Sequence, residues 1–127
     1  MPTILIADDE FHIRRLIQQT LELFEDEGVE IITAQNGEEA LNIIKEKRPE
    51  LVFLDIVMPE IDGFSVCITV KKELGMKDVH IAILTAMGQE CDKAMGKLCG
   101  CDDFITKPFS TKELRTKVRE ILFPAKK

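Results

Sequence analysis

Apolar and polar positions alternate along the chain on two different periods. Five short runs rich in β-branched and aliphatic residues, Thr3 to Ala7, Val29 to Thr33, Leu51 to Leu54, His80 to Leu84 and Asp103 to Thr106, have the length of strands. Most are apolar on both faces, as strands of a covered parallel sheet are. Helical spacing fills the intervals. Ile13, Leu16, Ile17, Leu21 and Phe24 recur at three- and four-residue steps and predict a first helix with one apolar stripe. Asn36-Gly37-Glu38-Glu39 has the form of a capping box ahead of Ala40, Leu41 and Ile44, and Pro49 closes this second helix. Phe64, Cys67, Val70 and Leu74 predict a third, with Gly75 as its stop. Gly88 to Leu98 predicts a fourth. Ser110 with Glu113 caps a fifth, which carries Leu114, Val118, Ile121 and Leu122 before Pro124.

Five strands alternating with five helices predict an α/β fold, an open, doubly wound parallel sheet of flavodoxin-like type. A barrel would need eight such units and about 250 residues. Right-handed crossovers leave few topologies, among which the strand order 2-1-3-4-5 is common at this size. Ligands of such sheets bind at the carboxyl ends of the strands.

Composition narrows the class. With 127 residues, 45% hydrophobic and 31% charged, the chain matches an ordinary globular domain, and one domain over residues 1–127 is expected. Lys plus Arg (17) less Asp plus Glu (23) leaves a net charge of −6, which argues against nucleic-acid binding by this segment. The apolar runs are far shorter than the roughly 18 to 20 residues that span a bilayer, so no membrane segment is predicted. Met1-Pro2-Thr3 carries no basic region of a secretory signal, and a cytoplasmic protein is expected. In that reducing compartment Cys67, Cys91, Cys99 and Cys101 are expected as thiols packed like small hydrophobes. The Cys99-x-Cys101 pair could supply half of a zinc site, but the sequence offers no second pair at ligand spacing, and His12 and His80 are isolated.

The residues that terminate the predicted strands carry the chemistry. Asp8 and Asp9 follow the first strand, Asp55 the third, Thr85 the fourth and Lys107 the fifth. Parallel strands bring all five to one crevice. Three carboxylates in one small site raise one another's pKa unless a cation is present. A few hard oxygen ligands with positions left to water suit Mg²⁺. Lys107 would add a fixed positive charge and Thr85 a hydroxyl, the parts that stabilise a phosphoryl group in transfer, with Asp55 placed as its nucleophilic acceptor. Each residue alone has a plainer role: Asp8, Asp9 and Thr85 as helix caps, Lys107 as a solvated lysine. Their joint placement at four strand ends is what points to chemistry.

The segments Ile6-Ala7-Asp8-Asp9-Glu10, Leu54-Asp55-Ile56-Val57-Met58-Pro59-Glu60-Ile61-Asp62-Gly63, Leu84-Thr85-Ala86 and Phe104-Ile105-Thr106-Lys107-Pro108-Phe109 resemble the receiver domain of two-component response regulators, over essentially the full chain. The resemblance implies that Asp55 accepts a phosphoryl group from the phosphohistidine of a histidine kinase or phosphotransfer protein. It implies that Asp9, Asp55 and the backbone carbonyl of Val57 ligate Mg²⁺, with Asp8 acting through water. Lys107 would contact the phosphoryl group, Thr85 would move toward it, and Phe104 would exchange an outward for an inward rotamer, its plainer role being a fixed core residue. The Lys107-Pro108 bond is expected in cis, with a trans turn as the alternative. Output would pass through the face of the fourth helix, fifth strand and fifth helix, to a homodimer partner or to another protein. The ending shortly after the fifth helix fits a stand-alone receiver and equally a domain of a longer regulator.

Two expectations go further. Val57 and Met87 are apolar and cannot orient the water that attacks an aspartyl phosphate, which predicts slow autodephosphorylation; otherwise their side chains turn away and only pack. Gly88 and Gly96 lower helix propensity by roughly 1 kcal/mol each relative to alanine, which predicts a loosely held fourth helix. Three rival readings remain. A haloacid-dehalogenase-type phosphatase would need an aspartate general acid where Val57 stands. A flavodoxin-like cofactor carrier would need a phosphate loop where Asp8 and Asp9 stand. An inactive receiver used for docking would not need the complete five-residue set.

Overall fold

The computed structural model describes residues 2–86, 97–107 and 109–124. In chain order the elements are β1 (Thr3–Ala7), α1 (Phe11–Leu21), a 3₁₀ segment (Glu22–Glu27), β2 (Glu30–Ala34), α2 (Gly37–Lys47), β3 (Leu51–Asp55), α3 (Gly63–Ile68) running into a π turn (Thr69–Glu73), β4 (His80–Ala86), β5 (Asp103–Lys107) and a C-terminal helix (Thr111–Leu122). The five strands form one sheet in the order β2-β1-β3-β4-β5, and every neighbouring pair is parallel. The predicted α/β class and strand order are therefore observed.

The sheet is covered on both faces, which explains the continuous apolar runs. Along β1, Leu5 and Ala7 face one core while Ile4 and Ile6 face the other. β3 and β4 divide in the same way: Val52, Leu54, Ile81 and Ile83 join Ala40, Ile44, Val66 and Val70 of α2, α3 and its π turn, whereas Phe53, Ala82 and Leu84 join Ile17, Leu21, Leu114 and Val118 of α1 and the C-terminal helix. This period of two is what a two-sided parallel sheet dictates.

Local signals mostly hold. Asn36 caps α2 by accepting from the Glu39 N–H at 2.7 Å, and Ser110 caps the C-terminal helix by accepting from the Glu113 N–H at 3.0 Å. The predicted box at Asn36 closes one residue early, since the Glu39 carboxylate accepts from the Gln35 N–H at 3.3 Å. Two stripe residues are corrected: Leu16 and Leu74 are exposed. Leu16 lies off the line joining Ile17, Leu21 and Phe24. At Leu74 the cause is the π turn, in which the Leu74 N–H bonds to the Thr69 carbonyl five residues back and rotates the stripe away from the core. The fourth predicted helix lies outside the described residues except for Lys97 and Leu98, which are helical with Cys99.

Candidate functional site at the carboxyl ends of the strands

Strand register assembles the site. Ala7 pairs with Ala34 and Leu54, Asp55 with Leu84, Thr85 with Thr106 and Ala86 with Lys107, so the chemistry-bearing residues leave the sheet along one edge. Asp8 is completely buried and Asp55 almost so, while Asp9 is exposed. One carboxylate oxygen from each of the three lies within 4.8 Å of the others. Lys107 reaches in from β5, its Nζ 3.0 Å from Asp55 Oδ1 and 3.4 Å from Asp8 Oδ2. Asp8 is held by the Glu10 N–H, which donates to Oδ1 at 2.9 Å, and by Arg14 Nη1, which donates to its carbonyl at 2.7 Å. Asp8 therefore does not cap α1, whose N-cap is Glu10 without a side-chain hydrogen bond; its first oxygen closes a turn ahead of the helix and its second faces Lys107. Thr85 is buried at the end of β4.

Asp8 and Asp55 share one ammonium, and their ionisation reflects it. Burial, followed by the negative charge of Asp8, pushes the Asp55 carboxyl up to about 6, although the hydrogen bond and charge of Lys107 pull the other way. Burial likewise raises Asp8 above the usual carboxylate range, against the Glu10 N–H and Lys107. Burial alone would lower Lys107, but its hydrogen bond to Asp55 and the two acidic charges outweigh it and hold the ammonium more firmly than usual. Ionised at neutral pH, Asp55 held in this way opposes folding on the order of 2 kcal/mol. A divalent cation would relieve that opposition, and three converging hard oxygens, one of them on the exposed Asp9, fit Mg²⁺.

The loop after Asp55 is pinned at both ends by close approach, which the sequence reading did not single out. A Cβ on Gly63 would collide with the Asp55 carbonyl, and one on Gly37 with the Ile61 carbonyl. The Gly63 N–H also donates to the Ile56 carbonyl at 2.8 Å. The glycine that opens α3 was the available signal. Within this loop Val57 is 75% exposed, so its side chain does not serve only to pack. Phe104 is half-buried against the α2–α3 core, not sealed in it. Met87, Gly88, Gly96, Cys91 and Pro108 lie outside the described residues, and the cis expectation for Lys107-Pro108 with them. Cys67, Cys99 and Cys101 are in the thiol form, and the fold brings Cys67 Sγ to 3.5 Å from the Cys99 carbonyl, though the two stand far apart in sequence.

Comparison with known proteins agrees with this architecture. The model of the response regulator receiver domain matches residues 4–119. The probable transcriptional regulator ycf27 of Porphyra purpurea is 47% identical over 124 residues, covering 98% of this chain and 49% of the relative. The alkaline phosphatase synthesis transcriptional regulatory protein PhoP of Bacillus subtilis (strain 168) is 41% identical over 119 residues, covering 94% and 48%. The chain thus spans about half the length of the curated relatives it matches. Among solved structures, a putative response regulator from Chloroflexus aurantiacus superposes with a TM-score of 0.84 at 34% identity, covering 96% of this chain and 98% of that one. Chemotaxis protein CheY4 of Vibrio cholerae gives 0.82 at 30%, covering 95% and 98%. A match over nearly the whole chain, on a sheet of the same order, shows that this protein belongs to the receiver-domain family of two-component response regulators.

Proposed function

We propose that residues 1–127 form one receiver domain that works as a phosphorylation-dependent switch with Asp55 as phosphoacceptor. The observation that carries this reading is the Lys107 ammonium bridging Asp55 and Asp8 inside a cluster of three acids at the strand ends. An Asp55 carboxylate oxygen attacks the phosphorus of a phosphohistidine on a sensor histidine kinase or phosphotransfer protein. The phosphorus–nitrogen bond breaks, and an acyl phosphate forms on Asp55. Lys107 holds a positive charge against the phosphoryl oxygens, and the Thr85 hydroxyl donates to one of them after moving toward it. Asp9, Asp55 and the Val57 carbonyl would hold Mg²⁺, with Asp8 acting through water. That ion would supply the charge needed to bring an anionic phosphoryl group to an anionic site. Phe104 follows Thr85 inward, and the face of the fourth helix, β5 and the C-terminal helix changes shape for a homodimer partner or another protein. Catalysis is confined to the domain's own phosphoryl transfer and dephosphorylation. The net charge of −6 leaves this segment without attraction for nucleic acid. Among the described residues no helix is long and apolar enough to cross a membrane.

The test is intact mass after incubation with Mg²⁺ and acetyl phosphate. Wild type should gain one phosphoryl group, about 80 Da, and neither the Asp55→Asn variant nor wild type in chelator should. Turnover of the donor without an adduct would favour a phosphatase. Neither adduct nor turnover, with a histidine kinase also failing to label the protein, would favour a docking module.

A further inference from the structure

The Asp8 side chain is fixed at both oxygens, whereas the Asp9 carboxylate beside it is not. The Asp8 N–H donates to the Ala34 carbonyl at 3.2 Å, Oδ1 accepts from the Glu10 N–H at 2.9 Å and Oδ2 from Lys107 Nζ at 3.4 Å. Among the described residues no group hydrogen-bonds to the Asp9 carboxylate, which is exposed yet brings an oxygen within 4.8 Å of oxygens on Asp8 and Asp55. Its place in the cluster therefore comes from the backbone. Arg14 holds the peptide that joins it to Asp8, with Nη1 donating to the carbonyl oxygen at 2.7 Å. Arg14 stands one turn into α1, half-buried, and its own N–H donates to the Glu10 carbonyl at 3.0 Å. Three residues earlier on the same face, the Phe11 ring centre lies 5.7 Å from the guanidinium carbon, within cation–π range, and the ring meets that of His12 edge-on at 5.8 Å. Phe11 is 58% exposed and adds little to the core; what it touches is the cation that reaches back to the acids.

We propose that Arg14 is a positioning residue for the metal site, clamping the Asp8–Asp9 peptide so that Asp9 keeps its place among the three acids, and that Phe11 braces the clamp. The proposal rests on the reading in which those acids hold Mg²⁺. An exposed ligand with no hydrogen-bond partner must be ordered when an ion binds, and a guanidinium already seated on the preceding carbonyl removes part of that entropic cost beforehand. Outer contacts that orient a ligand set metal affinity by about tenfold or more. Charge alone predicts the opposite sign. A cation this close to the acids repels Mg²⁺, so its removal would tighten binding if charge were all it supplied, whereas loss of a clamp weakens binding. A guanidinium suits the task better than an ammonium, because its planar fork can lie on an aromatic ring while one N–H donates to the carbonyl. The direction of the change in affinity separates the two roles.

The test titrates Mg²⁺ into the folded protein and follows its backbone amide resonances, with melting in chelator as the control for fold. Arg14→Ala should raise the apparent Kd for Mg²⁺ about tenfold. Arg15→Ala, which removes the same charge from the exposed neighbouring position, should leave it within about twofold. Phe11 is exposed, so Phe11→Ala keeps the fold and decides the matter should Arg14→Ala unfold; it should raise the Kd about threefold. Unchanged or tighter binding in Arg14→Ala or in Phe11→Ala, or an equal loss in Arg15→Ala, would overturn the clamp alone. Wild type that binds no Mg²⁺ would overturn the reading of the acid cluster, and the clamp with it.

Discussion

Asp55 holds a charge where a charge is costly. It is buried beside a second buried acid, and one lysine serves both. A residue selected for stability alone would be neutral here, so Asp55→Asn should raise the stability of the metal-free protein by about 1 kcal/mol. Mg²⁺ held as proposed by the native acid cluster should narrow that gap by stabilising wild type more than the variant. Melting curves with and without chelator measure both effects, and a variant less stable than wild type in chelator would contradict the reading of the site. Val57 acts on the same scale. Its side chain is exposed next to the acceptor and offers a water nothing to bond with. Val57→Asn should therefore speed loss of the phosphoryl group by about tenfold or more, read as the decay of the adduct mass after donor removal. Unchanged decay would mean that this position does not govern the attacking water.

Elements fix these residues, and their signals were unequally legible. The sheet could be read from sequence because each strand is buried on both faces and is therefore apolar throughout, and the strand ends Asp8, Asp55, Thr85 and Lys107 followed from it. Long-range geometry could not. The π turn after Ile68 leaves no mark that distinguishes it from a regular helix, so Leu74 was placed in the core and is exposed. Nor does spacing reveal that Cys67 meets Cys99, or that Gly63 lies against the Asp55 carbonyl. This last contact gives a prediction for the β3–α3 connection: Gly63→Ala should cost about 1–3 kcal/mol, as overpacking against backbone does, and should weaken Mg²⁺ binding because Asp55 must shift. Thermal melting and a metal titration report the two effects, and an unperturbed variant would show that the loop yields freely.

A second element-scale junction lies at the start of β4 and β5. Asp103 accepts from His80 Nε2 at 2.7 Å and from Lys117 Nζ of the C-terminal helix at 2.9 Å. Burial works against its ionisation, but the hydrogen bonds from Lys117 and His80 prevail and hold the carboxyl below the usual range. A depressed carboxyl stabilises the fold above its unfolded value near 4 and stops doing so as pH falls through the lower, folded value. Asp103→Asn should accordingly lower stability by about 1 kcal/mol at neutral pH, with the deficit closing as pH falls below about 4. A deficit that stays constant as the pH falls would mean packing, not charge, is what the substitution removes.

On the scale of the whole molecule, five parallel strands convert acids, a hydroxyl and an amine scattered over about a hundred residues into one charged crevice. Family membership fixes the fold, but the identity of the acceptor rests on the geometry at Asp55. The phosphorylated protein, treated with borohydride, converts an aspartyl phosphate to homoserine, and peptide mapping then locates the reduced residue. Homoserine at position 55 alone is the predicted result. Reduction at Asp8 or Asp9, or no reduced residue in a protein that carries the phosphoryl mass, would contradict it.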